Sequence, residues 1–199
     1  TAGVAWSRTV NQREFGSSYA LFFPELYKTI KRLQIRQLSQ DFPRGLPEVM
    51  PDNYYLLEQA IDFVSDSLVQ APQPFLGYYH FLPPHDPYRT RAEFYRRFSD
   101  DGYRLPKKPD HFFSKIKTYQ ELSDLATWYD EYILYADAEF ARFYRRLEQA
   151  GLLENTWLIL TSDHGEMFER GVAGHQTRML HQSIVRIPLL IFAPGGDQR

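Results

Sequence analysis

Hydrophobic residues recur at helical spacing in two long stretches of the chain. The first stretch begins near Asp52, a candidate N-cap, and its apolar positions are Tyr54, Leu57, Ile61, Val64 and Leu68. The second keeps a helical period over roughly seven turns, and its apolar positions are Leu122, Leu125, Tyr129, Ile133, Ala136, Phe140, Phe143 and Leu147. Gly151 follows it as a candidate C-terminal cap. Both patterns predict amphipathic helices. A weaker pattern predicts a shorter helix before the turn-forming residues 41–47, on the positions Leu26, Ile30, Leu33 and Gln37.

Three short apolar runs have the length and the flanking residues of buried strands. They cover residues 75–81, 156–161 and 187–192 and are bounded by proline, glycine or polar residues. Together with the helical stretches they predict an α/β layer. Residues 89–118 are charged, aromatic and contain prolines, so we expect a surface excursion or a lid there.

Composition and charge narrow the class of protein. The 199 residues are 43% hydrophobic, which is enough for one substantial core, and 23 basic residues nearly balance 25 acidic ones. A net charge of -2 without a basic stripe argues against a nucleic-acid partner. The absence of cysteine excludes disulfides and thiolate metal ligands within these residues. Apolar runs such as residues 187–193 are too short for a membrane helix, so no membrane segment is predicted, and the cellular compartment stays open.

Side chains that bind metals follow the second predicted strand. The strand runs into Ser162, Asp163, His164 and Gly165. A carboxylate and an imidazole are donors for a divalent metal, and strand ends are where open α/β sheets bind ligands. This position therefore predicts part of a metal site.

Other histidines differ in their surroundings. Prolines on both sides of His85 keep its backbone out of helix, so its imidazole lies on a stiff loop after the first predicted strand. His175 follows a glycine in the segment after the metal-site residues. His80 falls within the first predicted strand, where a hydrogen-bonded core histidine is the favoured interpretation.

Several motifs follow one another in residues 74–194. They are Pro84-His85-Asp86-Pro87-Tyr88, the helix with Tyr129, Asp130 and Asp137, Asn155-Thr156, Ser162-Asp163-His164-Gly165-Glu166, Gly174-His175 and residues 186–191. In order and spacing they resemble the C-terminal half of a sulfatase catalytic domain, within the alkaline phosphatase superfamily. Residues 1–73 are similar only as a variable middle segment.

The resemblance implies an α/β fold: an alkaline-phosphatase-like sandwich, with a largely parallel sheet flanked by helices, incomplete at its N-terminal side. The family pattern also has two adjacent aspartates on the first strand and a Cys or Ser nucleophile followed by Pro and Arg. This sequence has neither at a strand end, and Asp100 and Asp101 lie in the charged excursion. Because the first residue is also not Met, we expect residues 1–199 to be a fragment or mature piece that lacks the nucleophile.

By motif, the resemblance implies a metal-dependent hydrolase of sulfate esters. Asp163 and His164 would bind a divalent metal, with Ca²⁺ favoured and Mn²⁺ or Zn²⁺ as alternatives. His85 would contact the ester and protonate the departing oxygen, and His175 would face the oxygens of the anion. The substrate would be a small-molecule or glycan sulfate ester. Glu166 and Arg170 are candidates for orienting the ligands.

Two other hypotheses about the function stay open. A phosphodiesterase, a phosphonate monoester hydrolase or a phosphoglycerol-type transferase of the same superfamily would use the same histidines and aspartate. Alternatively, the chain is a catalytically inactive fragment or a relative kept for binding. In either case we expect these residues alone to have no activity.

Overall fold

The computed structural model describes residue 30 and residues 33–50, 53–112, 114, 116–176 and 180–195. Residues 33–39 are helical, and turns follow at residues 40–44, as predicted; Leu26 lies outside the described residues. The elements that follow are β1 (Glu48–Met50), β2 (Asn53–Tyr54), α1 (Leu57–Val69), α2 (Tyr119–Gln149), a 3₁₀ turn (Leu152–Asn155), β3 (Leu158–Thr161), β4 (Met167–Glu169), β5 (Val172–Gly174), α3 (Gln182–Val185) and β6 (Leu189–Phe192).

Helices α1 and α2 pack together and form the main core. Their apolar stripes face each other, and the buried side chains are Leu57, Ile61, Val64 and Leu68 from α1 with Tyr132, Tyr135, Phe143 and Leu147 from α2. Full burial of one such side chain contributes about 1.5–3 kcal/mol relative to its exposed state. The helical periodicity in the sequence therefore predicted both helices and their buried faces correctly.

The predicted start of α1 is wrong, whereas the end of α2 is confirmed. Helix α1 begins at Leu57 because the preceding residues pair with β1 as strand β2. Asp52, the predicted N-cap, lies outside the described residues, and Leu56 occupies the cap without a side-chain hydrogen bond. Helix α2 ends at Gln149, and Gly151 follows with a φ of 70°, the left-handed conformation that suits glycine after a helix.

Polar contacts also join the two helices. Arg142 and Arg146 of α2 both form ion pairs with Asp62 of α1, and Nη1 of Arg146 lies 2.8 Å from Oδ1 of that carboxylate. Because these groups are partly exposed, each pair adds little stability, on the order of 0–1 kcal/mol.

In the described part of the chain no helix is long and apolar enough to cross a membrane.

The described strands form three antiparallel pairs. β1 pairs with β2, β4 with β5, and β3 with β6. β3 and β6 match the predicted strands at residues 156–161 and 187–192, and they pair with Thr161 opposite Leu189. The largely parallel sheet of the prediction is not observed among the described strands, because β3 and β6 run in opposite directions.

The predicted strand at residues 75–81 is wrong. This segment has no strand hydrogen bonding, and Leu76 and Tyr78 are 98% and 87% exposed. A short apolar run shows only that a segment can be buried. Strand formation also needs a partner backbone, which the described residues do not supply here.

Residues 89–118 contain turns and no helix or strand among their described positions. The segment is tied to the β4–β5 hairpin: the backbone N–H of His111 donates to the carbonyl of Arg170, and that of Lys117 donates to the carbonyl of Gly171. The excursion therefore lies against the hairpin that carries part of the candidate site.

Candidate active site

The loop after β3 presents Asp163 and His164 at the end of the strand. This loop lies against α3, where the backbone N–H of Gly165 donates to the carbonyl of Ile184 at 2.7 Å. A Cβ on Gly165 would lie 2.2 Å from the carbonyl oxygen of Ser183. Only glycine allows this close approach, so Gly165 sets the position of the two residues before it.

Asp163 lies between two histidines, His80 and His164. Its side chain is 59% exposed, with Oδ2 3.8 Å from Nε2 of His80 and Oδ1 3.8 Å from Nε2 of His164. Slight burial raises the pKa of the Asp163 carboxyl. Electrostatic interaction with His164, hydrogen bonds from backbone N–H groups and a weaker interaction with His80 outweigh this effect, so the pKa lies below its usual value. The carboxylate is thus ionised at neutral pH, the form that binds metals.

His164 has one ring nitrogen committed to the backbone. Its Nδ1 lies 2.9 Å from the carbonyl oxygen of Gly165. A carbonyl oxygen only accepts hydrogen bonds, so Nδ1 carries the proton, and Nε2 keeps a lone pair in the neutral ring. This leaves Nε2 as the nitrogen that can bind a metal.

His175 stacks directly on His164. Their ring centroids lie 3.9 Å apart with an interplanar angle of 31°. His175 comes one residue after β5, so the β4–β5 hairpin returns the chain to the loop after β3. The structure therefore brings together two residues that the sequence separates by a complete hairpin.

His85 reaches the same place from a third segment. Its ring centroid lies 6.1 Å from that of His175, in an edge-on arrangement. Nδ1 of His85 lies 2.6 Å from the carbonyl oxygen of Asp86, which leaves Nε2 free to face a substrate. All four residues singled out in the sequence, His85, Asp163, His164 and His175, thus converge on one edge of the molecule.

The surroundings of His80 and Tyr88 differ from what the sequence indicates. His80 was predicted to be a core histidine, but its side chain is 60% exposed and faces Asp163. The error follows from the wrong strand prediction for residues 75–81. Tyr88 is buried, and the nearby Glu166 carboxylate adds to the effect of burial in raising the pKa of Tyr88. A tyrosine three residues after His85 was the only sequence signal for this contact.

An open cavity lies beside the His85 loop. It has a volume of about 510 Å³, and its walls include Asp86 and Tyr88 from the loop together with Tyr95 and Arg96 from residues 89–118. Arg44 lines it as well, with its guanidinium 4.8 Å from the Tyr95 ring centroid. The excursion thus supplies part of the wall next to the site.

Comparison with known proteins adds the family. The family model for sulfatases matches residues 5–199. The chain belongs to the sulfatase family. This membership implies an alkaline-phosphatase-like α/β fold, which agrees with the mixture of helices and strands described above.

Individual sulfatases are similar over most of this chain. It is 29% identical over 156 residues to an uncharacterized sulfatase, YidJ, of Escherichia coli K12, with 71% of this chain and 31% of the relative covered. It is 24% identical over 174 residues to arylsulfatase K of Canis lupus familiaris, with 74% and 32% covered. An ulvan-active sulfatase of Formosa agariphila is 27% identical over 149 residues, with 74% and 26% covered. The chain spans about a third of the length of these curated relatives.

A divalent metal, which sulfatases generally use, fits this site only in part. Asp163 and His164 offer an ionised carboxylate and a ring nitrogen. Ca²⁺ takes about six to eight oxygen ligands, and even a tetrahedral site needs about four donors. Among the residues that the structure describes, no group of three or more potential ligands is placed to hold one ion. The described residues by themselves therefore do not form a complete metal site.

Proposed function

We propose that this chain carries one half of the active site of a metal-dependent sulfate ester hydrolase. The observation that carries the proposal is the convergence of three segments at one edge: the His85 loop, the loop after β3 and the residue after β5. The ring of His175 lies 3.9 Å from that of His164 and 6.1 Å from that of His85. Family membership supports sulfate esters, small-molecule or glycan, as the substrates.

Asp163 and His164 are the proposed metal ligands of this half. Ca²⁺ is favoured, with Mn²⁺ or Zn²⁺ as alternatives. A bound divalent ion supplies positive charge against the ester oxygens. The ionised state of Asp163 and the free Nε2 of His164 support this assignment.

His85 and His175 are the proposed catalytic residues. When the S–O bond of a sulfate ester breaks, negative charge develops on the departing oxygen, and a proton must reach that oxygen. His85 is suited to this step because an imidazole can donate a proton and its Nδ1 contact with the Asp86 carbonyl leaves Nε2 to face the substrate. His175 would hydrogen-bond an oxygen of the sulfate group and stabilise charge in the transition state.

We further propose that the nucleophile comes from residues outside this sequence, so the 199 residues alone are inactive. The sequence has no cysteine and no serine followed by Pro and Arg at the family's spacing, and this supports the proposal. Turnover of an aryl sulfate or a phosphodiester by this chain, with Ca²⁺ or Mn²⁺ added, would contradict it.

The metal assignment is tested in a complete sulfatase chain that contains these residues. We expect Asp163→Ala to lower both metal content and sulfate ester turnover to background, because an ionised ligand is lost. Asp137→Ala, which changes an exposed aspartate of α2, is the matched control and should leave both unchanged. Full metal content in Asp163→Ala would refute the ligand assignment. Turnover of phosphodiesters without turnover of sulfate esters would favour the phosphoryl-transfer alternatives.

A further inference from the structure

Glu166 is a nearly buried carboxylate that faces His175. Its side chain is 6% exposed, and both of its oxygens lie 3.3 Å from Nδ1 of His175. Burial of a carboxylate is costly unless hydrogen-bond donors face it. A carboxylate only accepts hydrogen bonds when ionised, so Nδ1 of His175 is the donor in this contact.

Tyr88 supplies the second partner of Glu166. Its hydroxyl lies close enough to the Glu166 carboxylate for that carboxylate to raise the pKa of Tyr88. The ring of Tyr88 is 6% exposed and packs edge-on against Tyr129 of α2 at 5.3 Å and Phe168 of β4 at 5.7 Å between centroids. These contacts fix the tyrosine in the main core, and the hydroxyl holds the carboxylate from the side of the His85 loop.

The three side chains form a chain of contacts from the core to the site. Burial and the neighbouring Glu166 carboxylate raise the pKa of Tyr88, so its hydroxyl keeps its proton and acts as the donor. The stack on His164 restricts the position of the His175 ring further. Such a partner of a functional histidine determines which ring nitrogen carries the proton and how the ring is oriented.

We propose that Glu166 is a positioning residue that commits Nδ1 of His175 to itself and leaves Nε2 for the substrate, and that the Tyr88 hydroxyl holds Glu166 in place. The orientation of the His175 ring depends only on residues within this chain. Its value for catalysis rests on the role proposed above for His175.

The tautomer of His175 tests this proposal without any enzymatic assay. The 199-residue chain is labelled with ¹⁵N, and two-bond ¹H–¹⁵N spectra are recorded at a pH where the ring is neutral. We expect the proton of His175 on Nδ1 in the wild type. Glu166→Leu removes the acceptor at similar side-chain size and should shift the major form to Nε2–H. Tyr88→Phe should also increase the fraction of the Nε2–H form, by a smaller amount.

Matched variants separate positioning from general disturbance. Glu169→Leu removes another carboxylate of the same hairpin, which pairs with Lys108, and should leave the His175 signals unchanged. Tyr119→Phe removes a hydroxyl that donates to the Leu105 carbonyl away from the site, with the same expectation. The proposal is overturned if wild-type His175 carries its proton on Nε2, or if folded Glu166→Leu keeps the wild-type tautomer. Should Glu166→Leu not fold, the wild-type tautomer and Tyr88→Phe still decide. Failure of the sulfatase assays alone would not move these signals, so the two proposals fail separately.

Discussion

The α1–α2 pair and the β3–β6 pair differ in how their apolar side chains are covered. In the helix pair, Ile61 and Tyr135 are 3% and 1% exposed. In the strand pair, Ile159, Leu189 and Ile191 are 59%, 64% and 56% exposed. The helices cover each other, whereas the described residues leave much of the sheet uncovered.

The two pairs therefore differ in what they contribute to the molecule. The candidate site begins directly after β3, next to the strand pair with the exposed apolar side chains. The helix pair instead supplies rigid support, because Tyr129 of α2 packs on Tyr88 behind the His85 loop. We therefore expect substitutions in the helices to change the free energy of unfolding and substitutions at the strand edge to change catalysis.

The largest effect is expected on the turnover rate when a candidate site residue is replaced. In a complete sulfatase chain, His85→Ala should lower the turnover rate by roughly 10²- to 10⁴-fold, because the departing oxygen loses its proton donor. The free energy of unfolding should change by less than about 0.5 kcal/mol, since this side chain is exposed. The loss should be greatest for substrates with basic leaving groups. An equal loss with acidic and basic leaving groups would contradict the role as proton donor.

A pair of matched isoleucines tests the comparison directly. Ile61→Ala in α1 should lower the free energy of unfolding by about 2–5 kcal/mol, because it opens a cavity in the helix pair. Ile191→Ala in β6 should change it by less than about 0.5 kcal/mol, because its side chain already faces solvent. Denaturant unfolding of both variants of the 199-residue chain measures the contrast. Equal losses would mean that the exposed sheet face is covered in solution.

A smaller effect is expected at the start of α2. The Thr118 hydroxyl accepts a hydrogen bond from the backbone N–H of Glu121, and the Glu121 side chain accepts one from the backbone N–H of Thr118. Thr118→Ala should lower the free energy of unfolding by about 0.5–2 kcal/mol. Thr127→Ala, within the same helix, removes a hydroxyl bonded to the Ser123 carbonyl and serves as the control. Similar losses in both variants would argue against a special role for the cap.

The smallest effect is a dependence of stability on pH at the same cap. Hydrogen bonds from the backbone and side chain of Thr118 lower the pKa of Glu121. A lowered pKa in the folded state means that this contribution is present above the unfolded pKa of about 4.3 and is lost as the pH falls through the folded pKa. Glu121→Gln should therefore be less stable than the wild type at pH 7, and the difference should shrink on acidification. Unfolding curves at neutral and acidic pH check this, and a constant difference would refute it.

The local pattern of apolar residues was sufficient to predict the helices but not the pairing of the strands. The period of apolar residues predicted α1 and α2 because each turn of a helix is stabilised by residues near in sequence. The segment at residues 75–81 has an equally apolar pattern and forms no strand, because strand pairing depends on a partner elsewhere in the chain. The prediction of a parallel sheet was wrong for β3 and β6 for the same reason. The residues of one strand do not specify the direction in which its partner runs.

The amino-acid sequence alone predicted the two long helices and the four candidate site residues, and its motifs predicted membership of the sulfatase family, which the family model confirms. Helical period and motif order are local properties, which sequence displays directly. The folded structure was needed to show that β3 and β6 pair antiparallel and that His80 faces Asp163. It was also needed to show that Glu166 contacts His175 and lies near Tyr88. These contacts join residues far apart in the chain, and their formation depends on how the α1–α2 core orients the segments packed on it.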